Sequence, residues 1–167
     1  MTVQVHRVGP ERWETWREVR LEALRVDPDA FGSTLEREEA FGPAVWRERL
    51  DGRSGPAVLA ETDGGPVGMG AGYGYEPGRL MVVAMWTAPA WRGRGIGRRI
   101  LDEVVAWGLT QDLSVDLWVE DRNVAARTFY ERYGFVADGA TAPLRDGSPL
   151  TMSRLVLTGR AHDMSHR

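Results

Sequence analysis

Apolar residues recur along this chain with two periods, and the points where the period changes mark its elements. Residues 3–8 alternate well enough for a strand, which Gly9-Pro10 breaks. Between 11 and 26, apolar residues return at Trp13, Trp16, Leu21 and Leu24, an approximate helical stripe stopped by Asp27-Pro28-Asp29. Ser33 followed by Glu36 has capping-box spacing and predicts a short helix to about Ala40. Another helix is expected over 45–50, after the Gly42-Pro43 break. Strands follow at 57–60, 67–75 and 80–87, with a turn at Asp63-Gly64-Gly65-Pro66. The strand at 67–75 puts Gly68, Gly70, Gly72 and Gly74 on one face, so something approaches that face closely, either another element or a ligand. A helix from Ile96 turns Ile100, Leu101, Val104 and Val105 inward. Then come a strand over 113–119, a helix over 123–133, and strands at 135–136 and 150–157.

Consecutive strands early predict antiparallel pairing, and strands separated by helices later predict parallel pairing. The expectation is an α/β (α+β) fold: a mixed central sheet of about seven strands with helices on both faces. Residues 1–158 read as one domain, and the polar stretch 159–167 as a frayed tail.

Composition narrows the chemistry. The chain has 167 residues, 43% of them apolar, enough for a real core. It has no cysteine, which removes disulfides, thiolate metal sites and a cysteine nucleophile. His162 and His166 stand four apart in the tail with only Asp163 nearby, so no metal is expected. A net charge of −3 argues against a nucleic-acid partner. The first seven residues are polar within four positions, and no stretch of about 18 apolar residues exists, so neither a signal peptide nor a membrane span is expected. Cytoplasm is the expected location. All 21 basic residues are arginine, a sign of a GC-rich genome.

Two segments carry candidate chemistry. In Arg92-Gly93-Arg94-Gly95-Ile96-Gly97-Arg98 a strand has just ended, three glycines alternate, and a helix begins. Glycines let the backbone turn tightly and approach a ligand. The first helical turn offers unpaired amides and the positive end of the dipole, which together suit a phosphate. A P-loop needs Gly-Lys-Ser/Thr, and there is no lysine. A dinucleotide turn wants an acid about 20 residues on, and Asp116 and Glu120 lie near that spacing. However, the strand before this turn is the fourth rather than the first, and no second mononucleotide-binding half follows. In the second segment, Asn123, Ala126 and Tyr130 fall in one narrow stripe of a helix at about 100° per residue. Gly134 ends that helix.

Both segments, in this order and spacing, resemble the GNAT N-acetyltransferase superfamily. Its phosphate signature Gln/Arg-x-x-Gly-x-Gly/Ala is matched by Arg92 to Gly97, and its Asn, Ala, Tyr and Gly-Phe by Asn123, Ala126, Tyr130 and Gly134-Phe135. The resemblance spans roughly residues 69–157, and the opening, with Ala30 to Thr34 and Trp46-Arg47, looks like a bacterial subgroup. It implies acetyl-CoA as cosubstrate and an amine as acceptor, with no metal, and it leaves a homodimer open. The amides of Gly93, Arg94, Gly95, Ile96, Gly97 and Arg98 would hold the pyrophosphate. Met85, Trp86 and Thr87 would pair with the pantetheine arm, one of their amides serving as an oxyanion donor. Asn123 and Ala126 would meet the arm, and Tyr130 would protonate the departing thiolate.

The strand glutamate used by some relatives is missing, and Trp118 stands where others place one. Glu120, Glu36, Glu38 and Glu39 remain as base candidates. Residues 11–51 hold eleven acids and seven arginines, so a cationic acceptor is expected there. A non-catalytic acyl-CoA sensor on the same fold is the alternative reading.

Overall fold

The structure, a computed structural model, describes residues 2–159. His162, His166 and the expected tail beyond 159 lie outside the described residues. The elements run β1 (Gln4–Val8), α1 (Trp13–Val26), α2 (Leu35–Glu39), α3 (Pro43–Arg49), β2 (Ala57–Thr62), β3 (Gly65–Glu76) and β4 (Arg79–Thr87). They continue with α4 (Ile96–Thr110), β5 (Ser114–Glu120), α5 (Val124–Tyr133), β6 (Phe135–Pro143) and β7 (Thr151–Leu157). Seven strands form one sheet in the order β1-β2-β3-β4-β5-β7-β6, and only β4 and β5 pair in parallel.

The sheet buries both faces. On one side α4 lays Ile96, Ile100, Leu101, Val104 and Val105 against Val58, Leu80, Val115 and Leu117, with Tyr130 of α5 and Phe135 completing the layer. On the other, Trp16, Val19 and Leu24 of α1 and Trp46 of α3 cover Leu59, Met69 and Trp86. The buried stripe of α1 is Trp16, Val19, Arg20, Ala23 and Leu24, so its i, i+3, i+4, i+7, i+8 pattern contains an arginine. The cap of α2 also lies one residue beyond the expected one: Thr34, not Ser33, accepts from the Arg37 amide.

The glycine face of β3 is covered by an element. A Cβ at Gly70 would stand 2.5 Å from both Ile100 Cγ2 and Met85 Sδ, and one at Gly68 3.1 Å from Ile100 Cδ1. Bare backbone is what lets α4 sit this close.

Beside it, β4 parts from its parallel neighbour. Pairing with β5 ends at Val82–Leu117, yet β4 continues to Thr87 and β5 to Glu120. A bulge causes the parting. Between the Met69–Trp86 and Ala71–Val83 pairs, β4 has one residue more than β3, and Ala84 takes φ 59° there. The two strands therefore open like a V, with α4 and α5 starting at its tips.

Candidate active site

After β4 the chain makes a short 3-10 turn, Pro89–Trp91, and then Gly93 and Gly95 adopt φ 77° and 78°. This left-handed region is open to glycine and strained for other residues. Gly95 is the N-cap of α4 and has no side chain to satisfy the helix end. Among the described residues, no amide from Gly93 to Arg98 donates to a protein acceptor. An added Cβ at Gly93 or Gly95 would meet nothing within 4 Å, so these amides border open space. Six free donors at the positive end of a 15-residue helix suit an anion with several oxygens.

The turn forms one end of a cleft of about 480 Å³ that follows the V. Met85, Trp86 and Thr87 line one wall, Arg92, Gly93, Gly95, Ile96, Gly97 and Arg98 the end, and Asn123, Ala126 and Tyr130 the opposite wall. Of the cofactor-side residues expected from sequence, Arg94 alone does not line the cleft; its guanidinium stacks 4.7 Å over Trp91. Arg92 lines it with an exposed guanidinium tied back to the protein: Nε donates to the Thr87 carbonyl at 2.9 Å, and Nη2 to Asp27 Oδ2 at 2.7 Å. Trp86 contributes backbone, since its ring is buried on the α1 side with Nε1 donating to the same Asp27 oxygen at 2.7 Å. The Ala88 amide donates to Val67 on β3, so the alternating backbone turns Thr87 toward the V.

Asn123 caps α5, its Oδ1 accepting from the Ala126 amide at 3.2 Å, which leaves its NH2 for the cleft. The Tyr130 ring is held between Phe129 and Phe135 at 5.2 and 5.9 Å. Its hydroxyl has no partner among the described residues, and burial pushes the phenol well above its ordinary value.

The four glutamates expected as bases are placed otherwise. Glu38 is fully buried and forked to Arg20, with Oε1 3.1 Å from Nε and Oε2 3.0 Å from Nη2, while Arg49 Nη1 reaches Oε1 at 2.7 Å. Burial alone would raise its carboxyl, but the Arg20 hydrogen bonds and charge, helped by Arg49, bring it down to about 2. Such a group is a poor proton acceptor. Glu120 is buried at the end of β5, and both its oxygens accept from Arg122, at 2.8 and 2.9 Å. Glu36 and Glu39 are exposed and line neither the cleft nor the cavity beyond it.

That second cavity, of about 490 Å³, lies across β4 from the cleft: Val83 and Ala84 line it, and the next residue, Met85, lines the cleft. Its charged residues are Arg20, Arg37 and Arg49 with Glu38, Glu48 and Asp51. The negative wall expected from the acid count is therefore absent, because Glu38 is matched by two arginines and Glu36 and Glu39 face elsewhere. Arg20 and Asp27 were not among the expected site residues. An arginine four residues after Trp16 and four before Leu24, inside an apolar stripe, was the signal for the first.

A sheet splayed beside a bulge, with an unpaired helix N-terminus at the opening, forms a cleft that suits a phosphate-bearing cofactor. The acetyltransferase (GNAT) family model matches residues 13–135, and the chain belongs to this family, which uses acetyl-CoA. It is 34% identical over 86 residues to a Mycobacterium tuberculosis protein named as a probable N-acetyltransferase, covering 50% of this chain and 48% of that one. It is 31% identical over 138 residues to a mycothiol acetyltransferase from Acidimicrobium ferrooxidans, covering 75% of this chain and 40% of that one. The chain thus spans less than half the length of these curated relatives. The fold is shared with a GNAT-family acetyltransferase of Streptococcus pneumoniae, with TM-score 0.74, 16% identity, and 93% and 98% of the two chains covered. It is shared also with Ard1 of Thermoplasma volcanium, with TM-score 0.71, 18% identity, and 95% and 100% covered. A Bacillus anthracis structure named as a putative streptothricin acetyltransferase, in complex with acetyl coenzyme A, matches with TM-score 0.59 and 19% identity over 67% and 66% of the chains.

Proposed function

We propose that the protein is an acyl-CoA-dependent N-acyltransferase that moves acetyl from acetyl-CoA to a primary amine by direct attack in a ternary complex. The observation that carries this reading is the run of six unpaired amides, Gly93 to Arg98, opening onto a cleft walled by the free edge of β4. Acetyl-CoA, when bound, supplies a thioester whose acyl carbon is open to an amine.

The chain's own groups supply the rest. The amides and the α4 dipole hold the pyrophosphate. Met85 and Thr87 offer backbone to the arm, and the Asn123 NH2 faces it from the other wall. The amine enters from the second cavity, and its nitrogen reaches the thioester past the β4 bulge, where Ala84 of that cavity adjoins Met85 of the cleft. Its nitrogen bonds to the acyl carbon as the carbon–sulfur bond breaks. The amine's proton passes to water, because Glu38 and Glu120 are engaged by arginines. Tyr130 donates its hydroxyl proton toward the departing sulfur, and water returns a proton to the phenol oxygen, so that amide and free thiol are the products. A raised phenol value keeps that hydrogen in place at any working pH and makes the transfer partial in the transition state.

Gly95→Glu is the test. It adds a side chain and a negative charge where the pyrophosphate sits, at a cost of roughly 1–2 kcal/mol for the left-handed backbone, and no neighbour blocks the new Cβ. Wild type should be stabilised thermally by CoA and release thiol from acetyl-CoA with amines, and the variant should fold but lose both. CoA stabilisation equal to wild type would show the turn to be only a helix cap. Stabilisation without thiol release from any amine would indicate a non-catalytic sensor.

A further inference from the structure

The second cavity contains a charged group whose hydrogen bonding is incomplete. Arg20 projects from the buried stripe of α1 and is 9% exposed. Its guanidinium is fixed on both sides. Phe31 stacks on it at 4.7 Å, and Glu38 takes Nε and Nη2. Its Nη1 is buried and has no hydrogen-bond partner among the described residues. Arg49 gives Glu38 one Nη1 hydrogen bond and stacks on Phe41 and Trp46 at 4.8 and 5.2 Å. Arg20 and Arg49 share the Glu38 carboxylate, the three arginines and three acids of the lining balance in charge, and Arg20 Nη1 is left as a rigid donor without a partner.

Glu48 and Asp51 also line this cavity, but both are exposed, and Asp51 accepts from the Arg53 amide at 2.8 Å. Solvent screens them as it screens Arg49, whereas Arg20 and Glu38 form a buried pair whose charges cancel, so what the cavity offers is the Nη1 hydrogen-bond donor rather than a surplus charge. The remaining wall is largely apolar: Trp16, Val45, Ala71, Val83 and Ala84.

We infer that the cavity takes an amine that also bears a carboxylate close to its nitrogen, an amino-acid-type acceptor with an apolar side chain. The carboxylate is bound by Arg20 Nη1 and by the donors Arg49 has left. The apolar wall takes the side chain, and the nitrogen faces the β4 bulge. A planar guanidinium offering a free N–H edge matches a carboxylate oxygen better than it matches any cationic polyamine. This inference rests on the transferase reading and narrows it, replacing the cationic acceptor expected from composition.

The experiment compares proteinogenic amino acids with their decarboxylated amines, phenylalanine against 2-phenylethylamine and leucine against 3-methylbutylamine among them, by thiol release at saturating acetyl-CoA. The carboxylated member should win by at least about tenfold in kcat/KM, mostly through KM, the size of one charge-assisted hydrogen bond. Arg49→Met should reduce that advantage. The paired change Arg20→Met with Glu38→Leu removes both buried charges together and should abolish it, while CoA-induced thermal stabilisation, the check on folding, persists. If the paired change fails to fold, Arg49→Met decides alone. Equal or better turnover of the decarboxylated amines overturns the inference and leaves N-acyl transfer standing. A preference that survives in folded variants overturns it too. No thiol release from any amine, with CoA still bound, removes the transferase reading along with it.

Discussion

At the scale of single residues, burial sets what each ionisable group can do. Tyr130 keeps its proton because its phenoxide would be poorly solvated between Phe129 and Phe135. Tyr130→Phe removes the donor and leaves the ring packing, so turnover should fall about 10²-fold while CoA affinity, measured by calorimetry, stays within about twofold. Unchanged turnover would take Tyr130 out of the mechanism. Glu38 is the opposite case, a carboxylate held ionised by two arginines. Its folded value, about 2, lies below the ordinary 4.5, so its stabilisation is complete above about pH 4.5 and is lost as pH falls toward 2. Glu38→Gln should cost about 3 kcal/mol by leaving Arg20 buried and under-paired. At roughly 2–4 °C per kcal/mol for a chain of this size, Tm should drop by about 6–12 °C at neutral pH. The gap from wild type should narrow between pH 4.5 and 3, and calorimetric scans across that range check it. Helical spacing puts Asn123 and Tyr130 near one stripe in the sequence, but the roles expected of them come from the family resemblance and not from that spacing. Glu38 was not legible there, because its neighbours Glu36 and Glu39 look identical in sequence and only the arrival of Arg20 from another helix distinguishes it.

At the scale of elements, the site depends on one bulge and on the close approach of α4 behind it. Ala84 at φ 59° turns β4 so that its last residues leave β5. Gly70, opposite the bulge, leaves room for the Met85 thioether and for Ile100 of α4. Gly70→Ala would put a carbon 2.5 Å from both. Met85 has the flexibility to swing away, but Ile100 is β-branched, fully buried and held in its helix. Overpacking of this kind costs about 1–3 kcal/mol, and the displaced Met85 would intrude on the cleft. Gly70→Ala should therefore lower Tm and weaken CoA binding together, whereas the same change at exposed Gly64 should do neither; loss of Tm with full CoA affinity would uncouple the bulge from the cleft. The order of strands and helices was legible because each has its own period, but the bulge was not, since nothing in Val83-Ala84-Met85 announces a left-handed alanine. The sequence pattern predicts a strand of two residues at 135–136, and β6 has nine, Phe135–Pro143. Around Asp138-Gly139 the pairing shifts register within an exposed edge strand, with Gly139 at φ 89°.

At the scale of the whole molecule, one segment joins the two cavities. Residues 27–32 leave α1 beside the cleft and lead to Glu38 in the second cavity. They are pinned at both ends of their course. Asp27 Oδ2 accepts from Trp86 and Arg92, so the segment is tied to β4 and to the phosphate turn. From the far edge of the sheet, Arg145 donates Nη2 to the carbonyls of Pro28 and Phe31 at 2.9 and 2.8 Å, and Nε to that of Gly32 at 3.4 Å. Phe31, the last anchor but one, is the ring that stacks on Arg20. Removing Arg145 leaves the exposed Pro28 and Gly32 carbonyls to water and the part-buried Phe31 carbonyl less well satisfied, so the fold should survive with a loss of about 1–3 kcal/mol. The consequence should be local. Amides 28–33 should exchange with deuterium at least about tenfold faster in Arg145→Met, since opening free energies of loops are small and governed by such ties. Phe31 would then hold Arg20 less firmly, and KM for the acceptor should rise while KM for acetyl-CoA, whose contacts lie on α4 and β4, stays near wild type. Asp27→Asn should act on the other tie: it weakens the charge-assisted bond to Arg92, frees the Thr87 carbonyl, and changes the KM for acetyl-CoA first. If both variants shift the same constant, the segment behaves as one rigid lid over both cavities rather than as two independent ties.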